Sequence, residues 1–510
     1  MPLADVVHRL LAPVDRLVAA LTDAVRRDRT AALVLVAYAA VWALYGAIAK
    51  GSQDIHFDMG EVVSWSRELD WGYAKHPPLS AWLVRAWFSV FPLTDWSYYL
   101  FAMVLTAIGL WFAWKISAHY LDGEKRVLGL ALLTLVPLYN FHALKFNANS
   151  VLIPFWAATT FWFLRSFETR SILYAALAGL AAAAAMLGKY WSIVLLIGLA
   201  VAALADPRRR EYFRSAAPWV TVAVGALALA PHIAWLAARN FEAFSYATGS
   251  HPVANYWEAA LSGLGYVAGA LGYVALPIVL ALAVARPAPA ALADMLWPRD
   301  ASRRTALIAF AVPILLPAVL AVIAKSEVVS IWAMAAMTLL PVVLLSSPLL
   351  AVPRAAVVHV VALAVAAPVL LAVLSPAIAA IIHQRGVPKG QAHFQLLASE
   401  MTKGWRATTD RPLRFVGGDP VLAHGALFYL PDQPLAYTAD RSVSPIDPAR
   451  VARDGIVMAC VAGDRGCEQL IAPLASSAAV RRSEMALSRS YLGIAGPSAR
   501  YLIVVVPPQQ

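Results

Sequence analysis

The chain has 510 residues, 61% of them hydrophobic and only 14% charged, and it carries a net charge of +11. Soluble domains are about a quarter charged, so the composition excludes an ordinary water-soluble globule and implies a polytopic membrane protein. With two cysteines and no nearby paired histidines, there is no zinc-type ligand set.

Residues 1–29 interleave apolar positions with Arg9, Arg16, Arg26, Arg27 and Arg29, and the first long apolar run starts at Ala31. This is the pattern of a basic amphipathic helix lying on a membrane surface rather than of a cleavable leader. Apolar segments long enough for about 30 Å of hydrocarbon follow near 31–49, 97–114, 126–140, 150–166, 171–187, 190–205, 216–237, 261–285, 305–324, 328–346 and 355–378. The expectation is about eleven spans. With a cytoplasmic N-terminus, nineteen basic residues fall on the cytoplasmic side and eight in the opposite loops, the C-terminal segment excluded, as the positive-inside rule requires of short loops. The first loop and the C-terminal region then face outward. The positive net charge is topological and calls for no nucleic acid.

The first loop, Lys50 to Asp95, is far longer and more polar than a connection needs. Leu79, Trp82, Leu83, Ala86, Trp87 and Val90 follow the spacing of one helix face, after Pro77 and Pro78, which suit a helix start. An interfacial helix is expected there, and a second one beginning at Asp58. Asp58 then sits at the N-cap or in the first turn with Glu61 three residues on, either as a capping pair or as a general base held at the interface. Lys75 and His76 stand beside the Pro-Pro turn, where a cation either grips a phosphate or reaches for lipid headgroups.

Further along, Asn140 to Ser150 is a polar break containing His142, Lys145, Asn147 and Asn149. These side chains either bind sugar hydroxyls or phosphate, or cap the next helix. Lys189, between two apolar segments, is costly unless it serves a wet cavity or lies at a span's end. His232, Arg239, His251, Tyr256, Trp257 and Glu258 make a further outward-facing set. From His383 onward, hydrophobic density falls and turn signals appear. Short apolar runs at Leu413–Val416, Ile456–Val461 and Tyr501–Val506 read as strands, and Asp447–Arg453 and Cys467–Leu474 as helices. A membrane unit over 1–382 and a small extracytoplasmic α/β domain over 383–510 are expected. Cys460 and Cys467 lie on the side predicted to be oxidising, where a short-loop disulfide is allowed.

The run FDMGE followed by WSRELDWGYAKHPPLSAWL resembles the first external loop of the GT-C membrane glycosyltransferases. Within them it is most similar to the branch holding the protein O-mannosyltransferases, the lipid A aminoarabinose transferases and the lipopolysaccharide galacturonosyltransferases. The resemblance spans about residues 30–260 and is weak beyond. It implies an all-α polytopic GT-C fold with interfacial helices in the first external loop. The implied reaction is inverting transfer of one sugar from a polyprenyl-phosphate donor to a lipid A, glycan or protein acceptor at the outer face of the inner membrane. Carried across, Asp58 matches the catalytic aspartate. Met59 replaces the acid that usually follows, which leaves Glu61 as the candidate second acid. His76 stands where the family has its phosphate-binding lysine, so Lys75, His76 and Lys189 are the candidates for the donor phosphate. Tyr73, His142, Lys145, Asn147 and Asn149 are the candidates for sugar or acceptor. No cofactor beyond the lipid-linked donor is implied, and no ligand cluster demands a metal. The competing class is a lipid or sugar transporter, against which stand the elaborate first loop and the absence of an internal repeat.

Overall fold

A computed structural model describes residues 3–244, 252–438, 446–474 and 480–509; His251 lies outside them. Helix α1, Leu3–Thr22, runs along one end of the bundle, and Asp15 ties it to Arg354 at 2.9 Å. Then come α2 (Arg27–Ala49), α3 (Phe57–Arg67), α4 (Leu79–Phe88), α5 (Asp95–Ser117), α6 (Gly123–Thr134), α7 (Leu152–Thr169), α8 (Ile172–Gly188), α9 (Ile193–Ala205), α10 (Arg209–Arg214) and α11 (Ala217–Ala238). The bundle is completed by α12 (Tyr256–Ala285), α13 (Pro289–Leu296), α14 (Ala301–Ala324), a 3₁₀ segment Ser330–Leu339, α15 (Leu340–Leu345) and α16 (Arg354–Arg385).

Six of these, α2, α5, α11, α12, α14 and α16, are long and apolar enough to cross a bilayer. The other expected spans are shorter, less apolar or irregular. The segment expected at 126–140 is a helix of 12 residues, and 328–346 is a 3₁₀ stretch followed by six residues of α-helix. Both are largely buried among neighbouring helices, where irregular backbone at membrane depth is tolerated. Helix starts follow local chemistry. Asp300 caps the Arg303 N–H, and Asn255 caps Glu258 while the Glu258 carboxylate accepts from the Ala254 N–H, a reciprocal capping pair. The small-residue face of α8 serves close packing: a β-carbon on Gly179 would lie 2.5 Å from the Thr221 carbonyl oxygen on α11.

The C-terminal region is a small α/β domain. Helix α17 (Phe394–Arg406) buries Phe394, Leu397, Met401 and Trp405, one face of a 3.6-residue repeat. There follow β1 (Phe415–Gly418), α18 (Pro420–Leu427), β2 (Leu435–Tyr437), α19 (Pro448–Asp454), β3 (Ile456–Val461), α20 (Arg465–Ile471), β4 (Arg481–Tyr491) and β5 (Ile494–Val506). The sheet order is β2-β1-β3-β5-β4, with β1 parallel to both neighbours and β5 antiparallel to both of its own. Cys460 on β3 is joined to Cys467 on α20 by a disulfide, with Cα atoms 5.8 Å apart. The strands at 456–461 and 501–506 and both expected helices are present, whereas the long β4–β5 hairpin was not foreseen.

This domain sits on the first loop and holds α3 along its length. Before α3, Asp54 pairs with Arg489 of β4 at 2.5 Å, and the Ile55 N–H donates to the Tyr429 hydroxyl. In the middle, a β-carbon on Gly60 would lie 2.0 Å from the His424 carbonyl oxygen, so α3 meets α18 backbone to backbone. At the far end Arg67 donates to the carbonyls of Leu427 (2.8 Å) and Pro434.

Candidate active site

Helix α3 starts at Phe57 because the His56 side chain caps it: Nδ1 accepts from the Asp58 N–H at 3.2 Å. The cap therefore belongs to His56, and Asp58 occupies the first turn, where its negative charge faces the free N–H groups of the helix start. Burial pushes the His56 ring down to about 4, with nearby Lys145, Lys50 and Lys389 adding to the effect and Asp58 opposing it. The imidazole is thus neutral at pH 7, as an accepting Nδ1 requires.

Asp58 is the hub. Its Oδ2 lies 2.9 Å from Lys145 Nζ and accepts from Asn147 Nδ2 at 3.3 Å, while Oδ1 is 3.5 Å from His56 Nδ1. Burial tends to raise the carboxyl, but the Lys145 charge, His56 and the bonds from Lys145 and Asn147 outweigh it and hold it at about 2. The carboxylate is ionised, fixed on two sides and still about a quarter exposed.

Glu61, one turn on, faces the other arm of the loop. Lys75 Nζ contacts both of its oxygens, at 2.8 and 3.1 Å. Glu61 is thereby a counter-ion to Lys75 rather than a cap acid. Lys189, after α8, donates to Asn149 Oδ1 at 2.7 Å and lies 4.6 Å from the Trp332 ring centroid. His76 is held well below the ordinary imidazole range by burial and by the Lys189 and Lys75 charges, with Asp58 acting in the opposite sense. It is a neutral neighbour and adds no cation of its own at pH 7.

Lys75, His76 and Lys189 line a cavity of 390 Å³ whose remaining wall is mostly apolar: Trp191, Val194, Pro317, Leu320, Val328 and Trp332 are among its residues. The arrangement is a cationic mouth on a greasy groove, with an ionised carboxylate nearby on the same loop. It is suited to an amphiphile with an anionic head. Among the described residues, no group of three or more His, Cys, Asp and Glu side chains is placed to hold a metal ion.

The structure gathers Asp58, Lys145 and Asn147 into one cluster, Glu61 with Lys75, and Asn149 with Lys189. It keeps two candidates apart. Tyr73 is 2% exposed and its hydroxyl donates to the carbonyls of Trp65 and Glu68, bracing the loop from inside. His142 packs edge-on against Tyr273, 5.1 Å between centroids. His232 bridges the Tyr190 hydroxyl (3.0 Å) and the Trp71 carbonyl (2.5 Å), fastening the first loop to α11. Sequence reasoning missed His56, Trp332 and the Asp54–Arg489 pair. The first has no standard capping signature, and the others become neighbours of the site only through the tertiary fold.

Known proteins resemble this chain in sequence over part of its length and in overall fold. The family model described as dolichyl-phosphate-mannose-protein mannosyltransferase matches residues 75–235. Lipid A galacturonosyltransferase RgtD of Rhizobium johnstonii is 27% identical over 184 residues, a match spanning 36% of this chain and 38% of that protein. The crystal structure of ArnT from Cupriavidus metallidurans bound to undecaprenyl phosphate superposes with a TM-score of 0.59 at 15% identity, over 93% of this chain and 97% of that one. Its apo state gives a TM-score of 0.61 at 12% identity with the same coverage. The chain thus shares its overall fold with the ArnT structures, and residues 75–235 carry the sequence pattern of the mannosyltransferase family model.

Proposed function

We propose that the chain is an inverting glycosyltransferase that moves one sugar from a polyprenyl-phosphate donor to a lipid, glycan or protein acceptor at the outer face of the inner membrane. The observation that carries this reading is the pairing of an ionised, anchored Asp58 with a lysine-mouthed apolar groove on the same loop. In the proposed arrangement the isoprenoid lies along Trp191, Leu320 and Trp332, and Lys75 and Lys189 neutralise the phosphate as it leaves. Asp58 faces the acceptor hydroxyl. Because its carboxyl sits at about 2, it is a weak base toward a free alcohol. The proton therefore transfers late, once the acceptor oxygen has begun to bond to the anomeric carbon and become acidic.

In this proposal residues 1–382 form the transferase unit and 383–510 the domain that closes it from outside. The N-terminus is cytoplasmic and the C-terminal domain periplasmic. The excess of basic residues on the N-terminal side supports that orientation, and so does a disulfide, which persists in an oxidising compartment. ArnT was crystallised with undecaprenyl phosphate and the galacturonosyltransferase is named for lipid A, so these are the donor carrier and acceptor to test first. A transporter is not favoured, since a carrier has no need of a buffered carboxylate in an interfacial loop. The test is transfer of a labelled sugar from a polyprenyl-phosphate donor by reconstituted protein. Wild type transfers label and Asp58→Asn does not, although it retains donor; full transfer by the variant removes Asp58 from the role of base.

A further inference from the structure

The tip of the β4–β5 hairpin is built in an unexpected way. Tyr491 pairs with Ile494 across a two-residue turn, and Leu492 and Gly493 both have positive φ, 52° and 79°. Such turns favour Asn-Gly or Asp-Gly, because a branched hydrocarbon side chain gains nothing from the left-handed conformation and its β-carbon resists it. Here that position holds a leucine that is 76% exposed, followed after Gly493 by an isoleucine that is 50% exposed. The other exposed residues of β4 are Arg481, Arg482, Ser483, Glu484, Ala486, Ser488 and Ser490. Large exposed hydrophobic side chains in the hairpin are thus concentrated at its tip.

Two spanning helices fix the level at which the tip sits. In α16, residues 360–382 form 23 consecutive uncharged, predominantly apolar positions, about 35 Å of helix and enough to cross the hydrocarbon. The first ionisable residue after them is His383. Its Nε2–H donates to the Ile494 carbonyl at 2.8 Å, and its ring lies 5.8 Å from that of Tyr491. On the other side, a β-carbon on Gly51, just past the end of α2, would lie 3.9 Å from the Tyr491 ring. The tip therefore rests against the ends of two membrane spans, where apolar chain gives way to polar chain. An aromatic ring flanked by aliphatic side chains at that depth is the composition of a membrane-interface anchor.

We propose that the Tyr491–Ile494 tip inserts Leu492 and Ile494 into the bilayer surface, so that the C-terminal domain is moored to lipid as well as to the first loop. The occupant of this apolar tip is the bilayer itself, a role independent of whether the chain transfers sugar. Cysteine introduced singly as Leu492→Cys or Ile494→Cys, labelled with an environment-sensitive fluorophore, reports it in nanodiscs holding one protein copy each; the native cysteines are disulfide-bonded and do not compete. Ser483→Cys, exposed at the other end of β4, is the control. The expected result is blue-shifted emission and strong quenching by spin-labelled phospholipid at 492 and 494, with water-like, unquenched emission at 483. Water-like emission at all three sites would overturn the proposal, as would equal quenching at all three, which would mean the whole domain lies on lipid. A second variant guards against a distorted tip. Leu492→Asn suits the turn and leaves the label at 494 in place, and it should reduce quenching at 494; unchanged quenching there would show that Leu492 is not part of the anchor.

Discussion

At the scale of single residues, the controlling feature is the balance at Asp58 between burial, which raises its carboxyl, and Lys145 with its neighbours, which lower it to about 2. A carboxyl depressed in the folded state stabilises that state above its unfolded value, and the contribution is lost as pH falls through the folded value. On the acid side, the wild-type kcat/KM should therefore stay level down to about pH 3 as far as Asp58 is concerned. Lys145→Ala removes the leading opposing charge and leaves burial in control, so the acid limb should move upward by about one unit or more; a pH–rate profile of the two proteins checks this. Donor binding rests on other residues. Lys75→Ala and Lys189→Ala should each raise the donor KM roughly tenfold or more, the loss of one charge-assisted bond to phosphate. Lys75→Ala also breaks the ion pair of the buried Glu61 carboxylate, so Lys189→Ala is the cleaner measurement. Asp58, Lys75 and Lys189 were legible because charged residues in an apolar chain are conspicuous. Lys145, Asn147 and Asn149 also stood out, as candidates for sugar or acceptor, but their contacts were not legible: Lys145 and Asn147 reach Asp58, and Asn149 reaches Lys189, from a separate loop that only the packed helices bring across.

At the scale of elements, the position of α3 is set by the domain that grips it. Gly60 has no room for a side chain against the His424 carbonyl. Gly60→Ala should therefore lower the thermal midpoint and transfer activity together by lifting the helix that carries Asp58. The Asp54–Arg489 pair works at the helix approach. Asp54 is 1% exposed, and burial raises its pKa even beside Arg489. Removing only Arg489 leaves a buried charge without its ion-pair partner and should cost about 3–5 kcal/mol. The paired replacement Asp54→Asn with Arg489→Gln should cost less, because no lone charge is left behind; denaturation of the single and double variants separates the two. The sequence pattern located α4 through its apolar face and placed the start of α3 within one residue. It left Asp58 between the N-cap and the first turn and did not name His56 as the cap, because a histidine accepting through Nδ1 is outside the usual Ser, Thr, Asp and Asn set.

At the scale of the whole molecule, the multi-pass character and the small C-terminal sheet followed from hydropathy and from where it falls. Counting spans did not translate directly into long helices. Hydropathy measures apolar content and not backbone form, so 126–140 and 328–346 read as spans although the first falls on a helix of only 12 residues and the second is mostly 3₁₀. The β4 strand escaped because its first four residues are all exposed and polar, and Ala486 and Arg489 break in sequence the apolar–polar alternation that its burial follows from Glu484 onward. What the assembled bundle adds is the groove between α9, α14 and the 3₁₀ segment, capped by Lys75 and Lys189. A second cavity of 270 Å³, lined by Leu17, Tyr38, Leu130 and Val365, is almost wholly apolar and lacks a cation. The decisive experiment is therefore a structure of the reconstituted protein with undecaprenyl phosphate. The phosphate is expected between Lys75 and Lys189, with the isoprenoid running past Trp191 and Trp332. A lipid seated in the cation-free cavity, or a phosphate remote from both lysines and from Asp58, would contradict the proposed site.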